Sequence, residues 1–228
     1  FPHLHLCLQS GSDSVLRRMR RRWGTKMFLD RCQLLQESLC EPAITTDVIV
    51  GFPGETEQEF QETLDTCRKA GFSKIHAFPF SARRGTPAAE MPDQIEKVVK
   101  SERVSVVSEL EAELRSEYYD RLVGKKLEML VESSQTLSSI GESQLPRTPT
   151  AHQTVVNQAP VSGESSINPI HSDALQSISL VARGTSCRYA PVETVLSDPT
   201  DPTVKIGELL PVEIVKSDGK KLNGRLIL

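Results

Sequence analysis

No apolar run in the 228 residues approaches the roughly 18 needed for a membrane helix, which excludes a spanning helix. No basic-then-apolar leader opens the chain, so no secretory signal is read and the expected location is cytoplasmic. Strong charge of either sign is also lacking. Lys+Arg is 27 and Asp+Glu is 30, a net charge of −3, which excludes a histone-like polycation and leaves room only for a local basic patch. Cysteine is sparse and scattered. The five residues Cys7, Cys32, Cys40, Cys67 and Cys187 are odd in number, and no two stand at a CxxC spacing. Reduced thiols in a cytosolic protein are the expectation, and a metal or cluster site made by neighbouring cysteines is not. An initiating Met is absent too: the chain begins at Phe1 and runs directly into a strand pattern.

Three similar units fill residues 1 to about 91, each an apolar strand, a loop of small and polar residues, and a helical pattern. The first is His3 to Leu8, then Gln9-Ser10-Gly11-Ser12, then a helix from Asp13. Alternation sets His3, His5 and Cys7 on one face and Leu4, Leu6 and Leu8 on the other. The second is Ile44 to Val50, then Gly51-Phe52-Pro53-Gly54-Glu55, then a helix opened by the Thr56/Glu59 capping box. Its stripe is Phe60, Leu64 and Cys67. The third is Lys74 to Phe80, followed by Ser81 to Pro87. A further helix between the first two units buries Phe28, Cys32, Leu35 and Leu39. Alternating strands and helices predict a parallel sheet with right-handed crossovers, whose chemistry sits at the carboxyl ends of the strands.

From Pro92 to about Leu122 the pattern predicts one long helix, capped by Asp93 or Glu96, with Val99, Val106, Leu110 and Leu114 inward. Beyond Gly124, strand patterns at 125–132, 178–182, 192–196, 209–215 and 222–228 predict a small antiparallel barrel, with Asp218-Gly219 as a hairpin turn. Residues 133–176 interrupt it. They hold nine serines, four prolines and only four charged residues, the composition of a disordered surface insertion. The domains are therefore 1–122 and 123–228.

Three strings carry a resemblance: His5-Leu6-Cys7-Leu8-Gln9-Ser10-Gly11-Ser12-Asp13, Asp47-Val48-Ile49-Val50-Gly51-Phe52-Pro53-Gly54-Glu55-Thr56, and Phe80-Ser81-Ala82-Arg83-Arg84-Gly85-Thr86-Pro87-Ala88. In order and spacing, with Leu16 to Arg21 between the first two, they resemble the radical S-adenosylmethionine (SAM) methylthiotransferases. Those enzymes place a methylthio group on a modified adenosine beside the tRNA anticodon or on a ribosomal-protein aspartate. The resemblance implies an α/β fold: the C-terminal half of a radical SAM partial (β/α) barrel, followed by a small all-β, OB-like TRAM barrel that binds RNA. Arg83 with Gly85-Thr86 resembles the tRNA branches. His3/His5, Thr45-Thr46-Asp47 and Cys187 to Val192 resemble the threonylcarbamoyladenosine enzyme, with the isopentenyladenosine enzyme next.

The implied cofactors are SAM and, in the complete family enzyme, two 4Fe-4S clusters held by cysteines. None of those cysteine motifs stands in this sequence, so the expectation is that this chain ligates no cluster and no metal, and that an N-terminal half is lost or supplied by a partner chain. The implied partner is tRNA, with neither DNA nor membrane. Gln9, Ser10 and Ser12 suit a ribose or the methionine end of the cofactor, although a helix N-cap by Ser10 or Ser12 accounts for the same residues. Gly51 admits a close ligand, and Ile49 and Phe52 suit an adenine face; a rigid turn is the alternative. Phe80, Ser81 and Arg83 end the third strand, where Arg83 suits a carboxylate or phosphate, or else an ion pair with Glu55 or Glu90. His3 and His5 are expected to face substrate. Arg17, Arg18 and Arg21, with Trp23 beside them, suit tRNA phosphates and a stacked base, or a plain solvated face. Besides the ribosomal-protein branch of the same family, which Arg83 disfavours, two competing readings stay open. One is a non-catalytic fragment whose barrel only binds RNA. The other is an ordinary α/β-barrel enzyme such as an aldolase, weakened because Lys74 opens its strand instead of closing it. The isolated half barrel is expected to expose an unpaired edge and to aggregate.

Overall fold

The computed structural model describes residues 2–138, 178–196 and 204–227. The sheet is parallel, as the alternation requires, in the order β1 (His3–His5), β2 (Ala43–Val50), β3 (Lys74–Pro79). His5 pairs with Thr45, and Thr45 in turn pairs with Lys74. Helices α1 (Asp13–Arg18) and α2 (Thr25–Ser38) join β1 to β2, and α3 (Glu57–Ala70) joins β2 to β3. The Thr56/Glu59 capping box forms with both of its reciprocal bonds, and Gly71 ends α3 in the left-handed conformation. The core of this unit gathers Leu8, Phe28, Ile44, Val48, Phe60, Leu64 and Phe72. Leu39 does not join it: it lies past the end of α2 and is 37 % exposed.

Helix α4 (Lys97–Leu122) starts later than the pattern suggests. Asp93 has φ +58°, which a helix cannot continue, and Glu96 at the N-cap makes no side-chain capping bond. Its inward face is Val107, Leu110, Leu114 and Tyr118, one position on from Val106, which is 40 % exposed. The shift accommodates Arg103 and Glu111, two charged residues buried on the same face. The helix serves two cores. Val107, Leu110 and Leu114 pack on the sheet unit, whereas Tyr118, Tyr119 and Leu122 pack on the barrel.

That barrel is closed, in the order β4 (Lys126–Ser138), β5 (Ile178–Ser186), β6 (Pro191–Leu196), β8 (Leu222–Leu226), β7 (Leu209–Ser217). One of its pairings, β6 with β8, is parallel, so the barrel is not wholly antiparallel. Strand β4 runs to Ser138, inside the stretch read as an insertion from residue 133; residues 139–176 of that stretch lie outside the described residues. Asp218-Gly219 sits in a longer loop between Ser217 and Leu222, where the Asp218 carboxylate accepts from the backbone N–H of Lys220 and Lys221. Gly184 is needed in β5: a Cβ there would lie 1.8 Å from the Leu130 carbonyl oxygen.

Candidate functional site

The carboxyl ends of the three parallel strands border a cleft of about 500 Å³, lined among others by Gln9, Asp47, Ile49, Phe80, Ser81 and Arg83. An adjoining cleft of about 360 Å³ shares Gln9, Ile49, Phe80, Thr86 and Ala88 and adds Phe52, Arg20 and Arg21. Gln9 is placed by a kink. Its φ is +70°, and its backbone still bridges to β2, donating to the Asp47 carbonyl at 2.9 Å and accepting from Ile49 N–H at 2.8 Å. Gln9 is 8 % exposed, and its amide, which opens onto the cleft, makes no hydrogen bond among the described residues. Phe52 and Phe80 meet edge to face at 5.1 Å, forming an apolar wall. Arg83 is exposed and, among the described residues, pairs with no carboxylate; Glu55 is taken by Arg103 instead.

Three other residues expected at the cofactor lie elsewhere. Ser10 is fully buried, its hydroxyl 3.2 Å from that of Thr63 on α3 and accepting from Ser12 N–H. Ser12 is buried beside it and bonds Ser14 Oγ at 2.9 Å. It occupies the N-cap of α1 without a side-chain capping bond, so the plain capping reading also fails there. Both serines belong to a close contact of this loop with α3. Thr63 Oγ1 accepts from Gly11 N–H, Thr66 donates to the Gly11 carbonyl, and a Cβ on Gly11 would lie 2.5 Å from Thr63 Cα. At Gly51, with φ +70°, the missing Cβ makes room for Lys100, whose Cγ would stand 2.2 Å away, and not for a ligand. Lys100 in turn donates to the Phe80 carbonyl at 3.2 Å and fixes the end of β3.

The arginine cluster divides as well. Helix α1 stops at Arg18, and Arg20 has φ +58°, so the cluster is a short helix followed by a turn. Arg18 is committed to structure. Its guanidinium forks onto Glu59 at 2.7 and 2.8 Å and reaches the Gly54 carbonyl at 3.2 Å. Arg17 donates to the Asp13 carbonyl on its own helix and borders a separate polar cleft of about 430 Å³ between α1 and α3. Arg21 is exposed over the Trp23 ring at 5.5 Å, which leaves that pair at the surface near the cleft. His3 has turned to the barrel, stacking on Tyr189 at 4.4 Å with its Nε2 3.1 Å from Thr45 Oγ1. Burial first, and the neighbouring His5 second, lower its pKa.

Arg18, together with Ser14 and the Thr56 N–H, holds the Glu59 carboxyl down to about 2, against an ordinary 4.5. A carboxyl with a depressed folded pKa stabilises the protein above its unfolded value. That contribution fades as pH falls from about 4.5 toward about 2. Glu59→Gln is expected to cost on the order of 2 kcal/mol at pH 7, with the difference from the parent closing below pH 4. Urea melts at a series of pH values measure it; a pH-independent difference would contradict the pairing.

The cysteines are not clustered. Cys32 and Cys67 are buried within the sheet unit, their thiols pushed up by that burial to about 11 and about 12, while Cys7 and Cys40 are exposed. Buried, protonated thiols on separate helices do not fit the thiolate set of an iron–sulfur cluster.

A family comparison matches the Radical SAM superfamily over residues 1–67. The chain is 47 % identical over 132 residues to the threonylcarbamoyladenosine tRNA methylthiotransferase MtaB of Bacillus subtilis, covering 58 % of this chain and 29 % of that protein. It is 49 % identical over 133 residues to the tRNA-2-methylthio-N(6)-dimethylallyladenosine synthase of Corynebacterium urealyticum, covering 58 % and 25 %. The corresponding enzyme of Acidothermus cellulolyticus is 48 % identical over 130 residues, covering 57 % and 26 %. The chain thus spans between a quarter and three tenths of the length of these relatives. No described helix is long and apolar enough to cross a membrane. Over residues 1–67 the chain is thus similar to the Radical SAM superfamily, and over about 130 residues it is similar to these tRNA-modifying methylthiotransferases.

Proposed function

We propose that this chain forms the SAM-facing strand ends of a tRNA methylthiotransferase whose substrate is threonylcarbamoyladenosine beside the anticodon. The observation that carries the reading is Gln9: a residue only 8 % exposed whose amide, among the described residues, has no protein partner and borders a cleft also lined by Phe80 and Arg83. An amide that opens onto a cleft and has no protein partner offers both donors and an acceptor to a ligand with hydrogen-bonding groups. SAM supplies that chemistry. Ile49, Phe52 and Phe80 suit its adenine, Gln9 its ribose or amino group, and Ser81 with Arg83 its carboxylate.

When bound, and given one electron from a 4Fe-4S cluster held outside the described residues, SAM would supply the radical that abstracts hydrogen. This chain's residues would hold and orient the cofactor and keep water from its apolar side. The described cysteines offer no cluster set, so no step is assigned to a cluster held here. For RNA, the barrel is the TRAM-like module, and Arg21 with Trp23 offers a cation and a ring at the surface. The preference for threonylcarbamoyladenosine rests on Thr45-Thr46-Asp47 and on Cys187 to Val192.

Equilibrium dialysis of the intact chain with labelled SAM tests the reading. Gln9→Ala is expected to weaken binding about fivefold to tenfold, the worth of one neutral hydrogen bond. Unchanged affinity, or no SAM bound by the parent, would overturn it. Competition between anticodon stem-loops tests the substrate. The threonylcarbamoyl form should displace the isopentenyl form, and the reverse order would assign the other branch.

A further inference from the structure

We propose that His5, Cys7 and Asp47 bind one divalent transition-metal ion of the zinc class. The inference stands independently of the cofactor reading. One ligand atom from each of the three lies within 4.8 Å of the others. His5 Nε2 and Asp47 Oδ2 are already 3.5 Å apart. Around a tetrahedral zinc ion, with bonds of about 2.0–2.3 Å, donor atoms stand roughly 3.3–3.8 Å from one another. The pair from adjacent strands is therefore at ligand spacing, and the thiol needs to close by about 1 Å, within reach of a side-chain rotation at exposed Cys7.

The second support is the contact behind the imidazole. His5 Nδ1 lies 3.0 Å from the hydroxyl of Thr45, which is 1 % exposed. When Nδ1–H donates to that oxygen, Nε2 carries its lone pair on the side of Asp47. The Thr45 hydroxyl proton is then free for His3 Nε2, 3.1 Å away. A metal-binding histidine characteristically has such a partner on its other nitrogen, which fixes the tautomer and the ring. Without a cation the other tautomer satisfies the same contacts, with Thr45 donating to Nδ1 and Nε2–H facing Asp47; a cation at Nε2 selects the tautomer in which Nδ1–H donates to Thr45.

Donor chemistry chooses the ion. One imidazole, one thiolate and one carboxylate suit zinc or cobalt, whereas magnesium and calcium require oxygen ligands. Three protein ligands leave a fourth position open to solvent, which His5 and Asp47, with side chains 39 % and 33 % exposed, allow. Asp47 also lines the cleft, so the ion would sit at its border.

The test is titration of the intact chain with zinc in the presence of a chromophoric chelator, and with cobalt followed by absorption. One equivalent is expected, with a thiolate-to-cobalt charge-transfer band. Cys7→Ser should abolish the band and weaken zinc at least tenfold; Asp47→Asn should weaken zinc similarly. Cys40→Ser and Cys187→Ser should leave both unchanged. Thr45→Val should cost about tenfold, with Thr45→Ser close to the parent. Zinc should raise the melting temperature of the parent and not that of Cys7→Ser, because the ion would tie edge strand β1 to β2. Less than half an equivalent bound, or a Cys7→Ser variant that binds like the parent, would overturn the proposal. Should Cys7→Ser fail to fold, Asp47→Asn decides alone: parent-like zinc affinity would overturn the proposal.

Discussion

Replacing Arg103 with alanine should lower the melting temperature by about 6–20 °C, the equivalent of roughly 3–5 kcal/mol for a buried ion pair broken on one side. The side chains of Arg103 and Glu55 are 8 % and 0 % exposed and meet at 2.7 Å. The same guanidinium reaches the Glu55 carbonyl at 3.1 Å and Glu57 at 3.1 Å, and it lies over the Phe60 ring. Glu55 Oε2 also accepts from Gly51 N–H at 2.6 Å, so this one carboxylate ties the loop after β2 to α4. Burial already raises the Glu55 pKa against the pull of Gly51 and Arg103. Without the arginine it rises further. An acid with a raised folded pKa loses stability as pH climbs through that value, so the deficit of Arg103→Ala should be largest at neutral pH and shrink toward pH 4. Arg103→Met combined with Glu55→Gln removes both charges and keeps an acceptor for Gly51, and should recover much of the loss. Calorimetry at several pH values reads all of this. A deficit below about 1 kcal/mol, typical of an exposed pair, would contradict the buried pair.

The opposite profile is expected of Arg83→Ala: an unchanged melt and a loss of SAM affinity of about tenfold to a hundredfold. Arg83 is exposed and, among the described residues, unpaired, so its removal should move stability by no more than about 0.5 kcal/mol. A charge-assisted bond to the cofactor carboxylate is worth roughly 1.5–3 kcal/mol, which sets the size of the binding loss. Lysine at this position should recover only part of it, since an ammonium cannot fork onto a carboxylate. Isothermal titration measures the three proteins. Equal affinity in all three would remove Arg83 from the site.

What the sequence disclosed, and what it withheld, follows from the range of each interaction. The capping box at Thr56, the apolar stripe Phe60, Leu64 and Cys67, and the parallel order of strands are local or topological, and they were legible. So was the cleft at the strand ends, with Gln9, Ile49, Phe52, Phe80, Ser81 and Arg83 around it. Ser10 and Gly51 stand in the same motifs but face Thr63 and Lys100, neighbours fixed only by tertiary packing, while Ser12 turns to Ser14 two residues on. Arg18 and Arg21 look alike in the sequence; the turn at Arg20 sends one to Glu59 and the other to Trp23. Asp47 was read as part of a motif and not as a neighbour of His5 and Cys7. Their meeting depends on the β1–β2 register, which periodicity does not set.

The central claim is that the cofactor lies at the carboxyl ends of β1, β2 and β3. Titrating the intact, isotope-labelled chain with SAM, while following Gln9 side-chain amide and Ile49 methyl resonances by NMR, tests it most directly. Saturable shifts are expected at Gln9, Ile49 and Phe80, reduced in Arg83→Ala. Shifts confined to Asp13, Arg17 and Thr66 in the polar cleft between α1 and α3, or none at saturating SAM, would contradict it.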